Sequence, residues 1–263
     1  MSFFKILFLA LLISLPNFAQ SPYSFDLDEE AVFYGAGITL GIVDNQLLKK
    51  REPLTIVDLG NLSKNNINSF DKMALNNWSP AANVVSDVLL IVSIASPLFL
   101  LTSSDVHKDI GIYSNMYIQN VVFSYSLAYL AKANVYRLRP YVYNENVSNE
   151  EKLSPGSTYS FFSGHSTMAF SSAIFLSTMF HKYHPGSKLA PYIWATSLAL
   201  ASTVGYLRIY SGQHFPSDVI IGAVVGSLVG YLVPLVHENH HTELNVVPEK
   251  IRSNKVFTFN INF

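Results

Sequence analysis

The sequence predicts an all-α, transmembrane helical bundle of five to six spans, and three observations carry that prediction. Charged residues make up 13% of the 263-residue chain and hydrophobic residues 49%, against roughly 25% charged in an average soluble domain. The apolar residues gather in long runs, each near the ~20 residues that a bilayer core demands. Those runs are separated by compact polar clusters and lack the period-two alternation of strands. Nothing in the composition divides the chain into two domains. A net charge of -1 leaves no footprint for nucleic acid. The absence of cysteine removes disulfide frameworks, thiolate nucleophiles and Cys-based zinc or iron–sulfur sites.

In chain order, residues 1–19 read as a signal peptide: Lys5, the apolar run Ile6 to Leu15, then Pro16 and the small Ala19 before Gln20. Asn17 fits the cleavage pattern poorly, and an uncleaved anchor is the alternative. Residues 20–83 form an N-terminal unit. Its stretch from Ala31 to Leu48 contains Asp44 and three glycines and ends at Lys49-Lys50-Arg51, so we expect a peripheral, re-entrant or weakly spanning helix. A polar, Asn-rich connection follows up to Pro80.

Five stronger segments lie at about 84–102, 110–131, 166–181, 189–207 and 219–236. In the last, Gly222, Gly226 and Gly230 recur every four residues, which places three glycines on one face and permits close helix packing. Asn115, Gln119 and Asn120 in the second need partners inside a bundle. Residues 237–263 read as a polar tail, with a period-two pattern at Phe257, Phe259, Ile261 and Phe263. His237, His240 and His241 are expected to be solvated, since no carboxylate or Cys spacing supports a metal site.

Three polar clusters interrupt the spans. The first runs from Lys132 to Pro140. Lys132 and Arg139 are seven residues apart, so both cations are expected on one helical face, with Pro140 biasing Arg139 out of the helix. In the second, Ser160 to Ser166, a Ser163-Gly164 turn followed by His165 opens an apolar helix, and helix N-termini attract anions. The third is the elbow Leu207 to Asp218. Pro216 and Ser217 start a helix whose first turn holds Asp218, within reach of His214, and Arg208 stands upstream. Alone, the first cluster reads better as a basic flank at the lipid headgroups, and the second and third read also as helix-capping networks. Together they supply cations and N–H donors for equatorial phosphate oxygens, one His to attack and one to protonate a leaving group.

In order and spacing these clusters resemble the type 2 phosphatidic acid phosphatase (PAP2) superfamily, whose pattern is Lys-x6-Arg-Pro, Pro-Ser-Gly-His and Ser-Arg-x5-His-x3-Asp. Lys132, Arg139, Pro140, Ser163, Gly164, His165, Arg208, His214 and Asp218 stand at the matching places, and the resemblance spans roughly residues 84–236. Phe162 replaces the pattern's Pro and Leu207 its Ser. The resemblance implies the helical core that acid phosphatases share with vanadium haloperoxidases. It implies His214 as nucleophile forming a phosphohistidine, Asp218 orienting it, and His165 as general acid. Lys132, Arg139, Arg208, Ser163 and the Gly164 amide would hold the phosphate, with no metal and no other cofactor.

The expected partners are a membrane and a phosphorylated lipid substrate, with no nucleic acid. Phosphatidic acid, phosphatidylglycerol phosphate, undecaprenyl pyrophosphate and lipid A are the candidates. A soluble periplasmic acid phosphatase and a noncatalytic lipid-binding protein are the alternatives. The resemblance places the chain in a bacterial inner membrane with its site toward the periplasm, an orientation that Lys108, Lys182 and Lys188 favour and Lys49, Lys50 and Arg51 oppose. Oligomeric state is not legible.

Overall fold

A computed structural model describes residues 21–24, 26–49 and 51–238. The signal segment 1–19, the patterned end of the tail and His240 and His241 lie outside the described residues.

Among the described residues six long helices form: α1 (Leu27–Lys49), α2 (Pro80–Ala95), α3 (Ile110–Asn134), α4 (Gly164–Tyr183), α5 (Ala190–Tyr210) and α6 (Pro216–Val236). No strand forms among the described residues. Local sequence sets the boundaries. The Ser79 side chain accepts from the Ala82 amide ahead of Pro80 and starts α2. Ser163 does the same for α4 through the Ser166 amide. α6 begins at Pro216, whose missing N–H costs nothing at that position.

α4 and α6 form the closest pair, and glycine makes it possible. A Cβ on Gly222 would lie 2.6 Å from the Ser163 carbonyl oxygen, on Gly226 2.1 Å from that of Thr167, and on Gly230 2.4 Å from that of Ser171. The expected glycine face is therefore where two backbones meet. Below it, Ile112, Tyr113, Met116, Phe175, Met179, Val229 and Val233 pack the core shared by α3, α4 and α6.

The buried amides of α3 also find partners. Asn115 accepts from the Tyr34 hydroxyl at 2.5 Å, Gln119 donates to Glu30, and Asn120 reaches Ser171 at 3.5 Å. Two of these three contacts come from α1, which lies lengthwise against α3. At one end of α1, Ser24 donates to the His237 carbonyl at 2.7 Å, just past α6. At the other, Arg51 donates to the carbonyls of Ala133 and Thr158 at 3.0 and 3.1 Å. The helix expected over 31–48 is thus continuous and runs from one end of the bundle to the other.

Two helical stretches, Pro80–Thr102 and Pro216–Val236, are long and apolar enough to cross a membrane. Both present apolar side chains outward: Val84, Val88 and Ile91 on α2, and Ile220, Val224 and Leu228 on α6. The remaining long helices give up apolar positions to buried polar residues such as Gln119, Asn120, Ser124, Ser171, Ser172 and Ser177. That is why fewer of them meet the hydropathy test than the five to six spans expected.

Two local expectations are corrected. α3 ends at Asn134, so Lys132 and Arg139 do not share a helical face; β-favouring Val135 and Tyr136 and the restriction imposed by Pro140 carry 135–139 in extended form. This segment pairs with 157–160 through Arg139 N–H to Ser157 O at 2.8 Å and Ser160 N–H to Arg137 O at 3.0 Å. His237, expected in solvent, is 4% exposed and sits 3.0 Å from Glu30. A carboxylate on α1 gives it a buried partner that sequence spacing does not reveal.

Candidate active site

At one end of the bundle the three clusters converge on His214, in the loop between α5 and α6. The imidazole is 1% exposed. Its Nδ1 lies 2.7 Å from the Ser160 carbonyl oxygen. A carbonyl only accepts, so Nδ1 carries the hydrogen and Nε2 keeps its lone pair. Burial, followed by the fields of Lys132, Arg139, Arg208 and His165, holds this group well below the ordinary histidine range, so it stays neutral at pH 7.

Asp218 does not make the direct bond expected of it. Its Oδ2 stands 3.8 Å from Nδ1 of His214 and instead accepts from the Ser160 hydroxyl at 2.5 Å and the Phe215 amide at 3.0 Å, while Oδ1 accepts from Arg137. Asp218 and His214 therefore meet through Ser160, whose hydroxyl holds one and whose carbonyl holds the other.

Lys132, 8% exposed, donates from Nζ to the carbonyls of Tyr159 and Phe162, both at 2.9 Å. Arg139 donates to the Gly156 carbonyl at 2.8 Å and to the Gln213 side chain. Neither cation is paired with a carboxylate among the described residues. The side chain at 162 is immaterial to Lys132, which uses only the backbone oxygen, so Phe in place of Pro preserves this contact.

Arg208 reaches the site from the last turn of α5 and is oriented by α2: it donates to Asn83 at 2.6 Å, Ser86 at 3.0 Å and Asp87 at 3.4 Å. His165 at the start of α4 shares a proton with the same Asp87, 2.7 Å from Nε2. The Ser163 hydroxyl accepts from the amide and hydroxyl of Ser166 at 3.3 and 2.9 Å. The Gly164 and His165 amides belong to the first turn of α4, where no intrahelical acceptor exists. A Cβ at Gly164 would make only ordinary contacts, 3.7 Å from Cβ of Ala128 and 3.9 Å from Cε of Lys132.

The structure thus brings together every residue selected from the sequence and adds others. Asn83, Ser86 and Asp87 repeat at i, i+3 and i+4 on an otherwise apolar helix, a polar stripe visible in the sequence but without a motif to mark it. Ser160 lies inside the second cluster and acts partly through its backbone. Arg137 is indistinguishable from a basic flank until its partners are placed, and Asp71 sits in the Asn-rich connection with no periodic signal at all. Among the described residues no group of three His, Asp or Glu side chains is disposed to hold a metal ion.

Residues 113–241 match the PAP2 superfamily. The chain is 39% identical over 82 residues to a lipid A 4'-phosphatase of Porphyromonas gingivalis, covering 31% of each chain. It is 31% identical over 134 residues to phospholipid phosphatase 1 of Rattus norvegicus, covering 43% of this chain and 47% of that protein. The chain thus spans less than half the length of these relatives. A crystal structure of a transmembrane PAP2-type phosphatidylglycerolphosphate phosphatase from Bacillus subtilis aligns with a TM-score of 0.47 at 22% identity, over 75% of this chain and 93% of that one.

Proposed function

Because the chain belongs to the PAP2 superfamily, we propose that it is a membrane-embedded, metal-independent phosphatase that hydrolyses a lipid phosphate or pyrophosphate monoester through a phosphohistidine at His214. The observation that carries this reading is a neutral imidazole with a free Nε2 lone pair, ringed by Lys132, Arg139 and Arg208. The three cations and the Ser163–Gly164 turn bind the equatorial oxygens. Nε2 of His214 attacks phosphorus as the bond to the lipid oxygen breaks, and His165, entering the step as an imidazolium beside Asp87, gives its Nε2 proton to the departing alkoxide and becomes neutral. In the second half, water attacks phosphorus and the neutral His165 takes its proton. The N–P bond breaks to release phosphate and the starting imidazole.

The lipid is supported by α2, whose inner face carries Asn83, Ser86 and Asp87 into the site while Val84, Val88 and Ile91 face outward. A substrate whose chains lie against that outer face presents its headgroup to the inner one. The site faces the periplasm in this reading, supported by Lys108 and Lys188 at the opposite end of the bundle, although Arg51, Lys64 and Lys72 stand at the site end. Where α1 crosses, a periplasmic site leaves residues 21–24 on the cytoplasmic face. Signal cleavage near residue 19 and a periplasmic site are then alternatives.

The decisive experiment is a panel of lipid phosphates and soluble phosphate esters, run with and without EDTA on wild type and His214→Ala in detergent. Phosphate release that persists in EDTA and vanishes in the variant supports the proposal; release by His214→Ala, or loss in EDTA, overturns it. A reporter placed after residue 238 reads the orientation, and an external signal refutes the periplasmic site.

A further inference from the structure

Behind His214, a chain of ionic contacts leads away from the site to a residue outside every motif. Arg137 bridges two fully buried carboxylates: Nη1 contacts Asp218, and Nη2 is 2.7 Å from Asp71 Oδ2. Its guanidinium lies over the Phe215 ring, 4.5 Å from the centroid. Asp71 also accepts from the Ser217 amide at 3.0 Å, the Ser217 hydroxyl at 2.7 Å and the Asn68 side chain at 2.6 Å. The carboxylate is therefore fully engaged, and Ser217 is one of the orphan donors at the start of α6.

Counting charge along this chain isolates what Asp71 does. Arg137 paired with Asp218 alone would be neutral, and His214 would stand beside no net negative charge. With Asp71 present, the triad carries one net negative charge on two fully buried carboxylates, bridged by a guanidinium that is 23% exposed. The strongest fields on His214 from the other elements come from cations and imidazole, Lys132 from α3, Arg139 from the extended segment, Arg208 from α5 and His165 from α4, and the α2 carboxylate Asp87 is bonded to the last two.

We infer that Asp71 is a positioning residue for His214, acting by neutralising Arg137 so that the Asp218 carboxylate keeps its charge toward the imidazole. The inference rests on the phosphatase reading above. An imidazole that attacks phosphorus becomes cationic, and this triad supplies a net negative charge behind it, while the Asp87 carboxylate is taken up by Arg208 and His165. The connection over 71–77 is then part of the active site, although nothing in it touches substrate.

Asp71→Asn tests this because it keeps shape and acceptor oxygen while removing charge. On a lipid phosphate turned over by wild type, kcat should fall by roughly ten- to a hundredfold with KM little changed. The acid limb of kcat/KM should move to lower pH, because a less negative surrounding disfavours imidazolium. Asp71→Asn combined with Arg137→Gln removes one charge of each sign, restores the net charge of the buried group, and should recover most of the lost kcat. A merely structural bridge predicts the reverse: the double variant is as impaired as the single one or worse, and the acid limb stays in place. Wild-type turnover with an unaltered Asp71→Asn, or a double variant without recovery, overturns this inference alone. Absence of turnover by wild type across the panel overturns it together with the phosphatase reading. Should Asp71→Asn fail to fold, the double variant decides.

Discussion

The contact between α4 and α6 makes Gly226 the most sensitive position outside the site. Alanine there puts a Cβ 2.1 Å from the Thr167 carbonyl oxygen, with the Thr167 Cα and carbonyl carbon both at 2.9 Å. Backbone cannot rotate aside as a side chain can, so reaching an ordinary contact distance requires the helices to part by about 1.3 Å. Overpacking of this kind costs about 1–3 kcal/mol, and alanine returns about 1 kcal/mol through helix propensity. Net destabilisation is therefore modest. Activity should suffer more, because Thr167 lies one turn from Ser163, and a displacement near 1 Å costs about a hundredfold when the geometry is catalytic. Phosphate release and thermal unfolding of Gly226→Ala in detergent check both numbers. Gly35→Ala on α1, where nothing packed against the helix lies within 4 Å of the added Cβ, is the control and should match wild type in turnover while gaining about 1 kcal/mol in stability. Wild-type turnover by Gly226→Ala would refute the claim that the helix contact sets the geometry of the phosphate turn.

Other outcomes follow from single contacts. Lys132→Met removes an ammonium held by two carbonyls; inorganic phosphate should inhibit about 10–100-fold less well, as expected for loss of a charged hydrogen bond. Asn83→Ala frees the Arg208 guanidinium from its 2.6 Å partner, and kcat/KM should drop roughly tenfold with no change in Tm beyond a few degrees. Stability should also depend on pH through His214. The folded site holds it neutral while the unfolded chain titrates near 6.5, so below that value the unfolded state binds a proton that the folded state refuses. Stability is then flat above pH 6.5 and falls by up to about 1.4 kcal/mol per pH unit beneath it. Denaturant titrations of wild type and His214→Gln between pH 6.5 and 5.5 measure the difference, and parallel curves would contradict a buried neutral imidazole.

Much of this was legible in the chain because the motifs combine residue type with helix boundary. Pro216 and Ser217 announce both a helix start and the place of Asp218, and glycines at intervals of four announce a backbone contact. What escaped is contact between segments distant in sequence. The Asp218 carboxylate could be placed four residues after His214, yet its actual neighbours are Arg137 and Ser160, brought in by the pairing of two extended segments that no periodicity signals. The expectation that Lys132 and Arg139 share a helical face failed because Val135 and Tyr136 end the helix before two turns are complete. Asp71 stood in a stretch whose polarity described only a connection.

The backbone pairing of residues 23–24 with 237–238 has a practical consequence. Residues 23–24 and 237–238 lie together at one face of the bundle, and His214 lies at the other. A label attached at Ser24 or Glu238 is held a full helix length from the phosphate site. Affinity tags, fluorophores and tethers at either position should therefore leave turnover intact, and a surface that captures the protein by both would present every active site in the same direction.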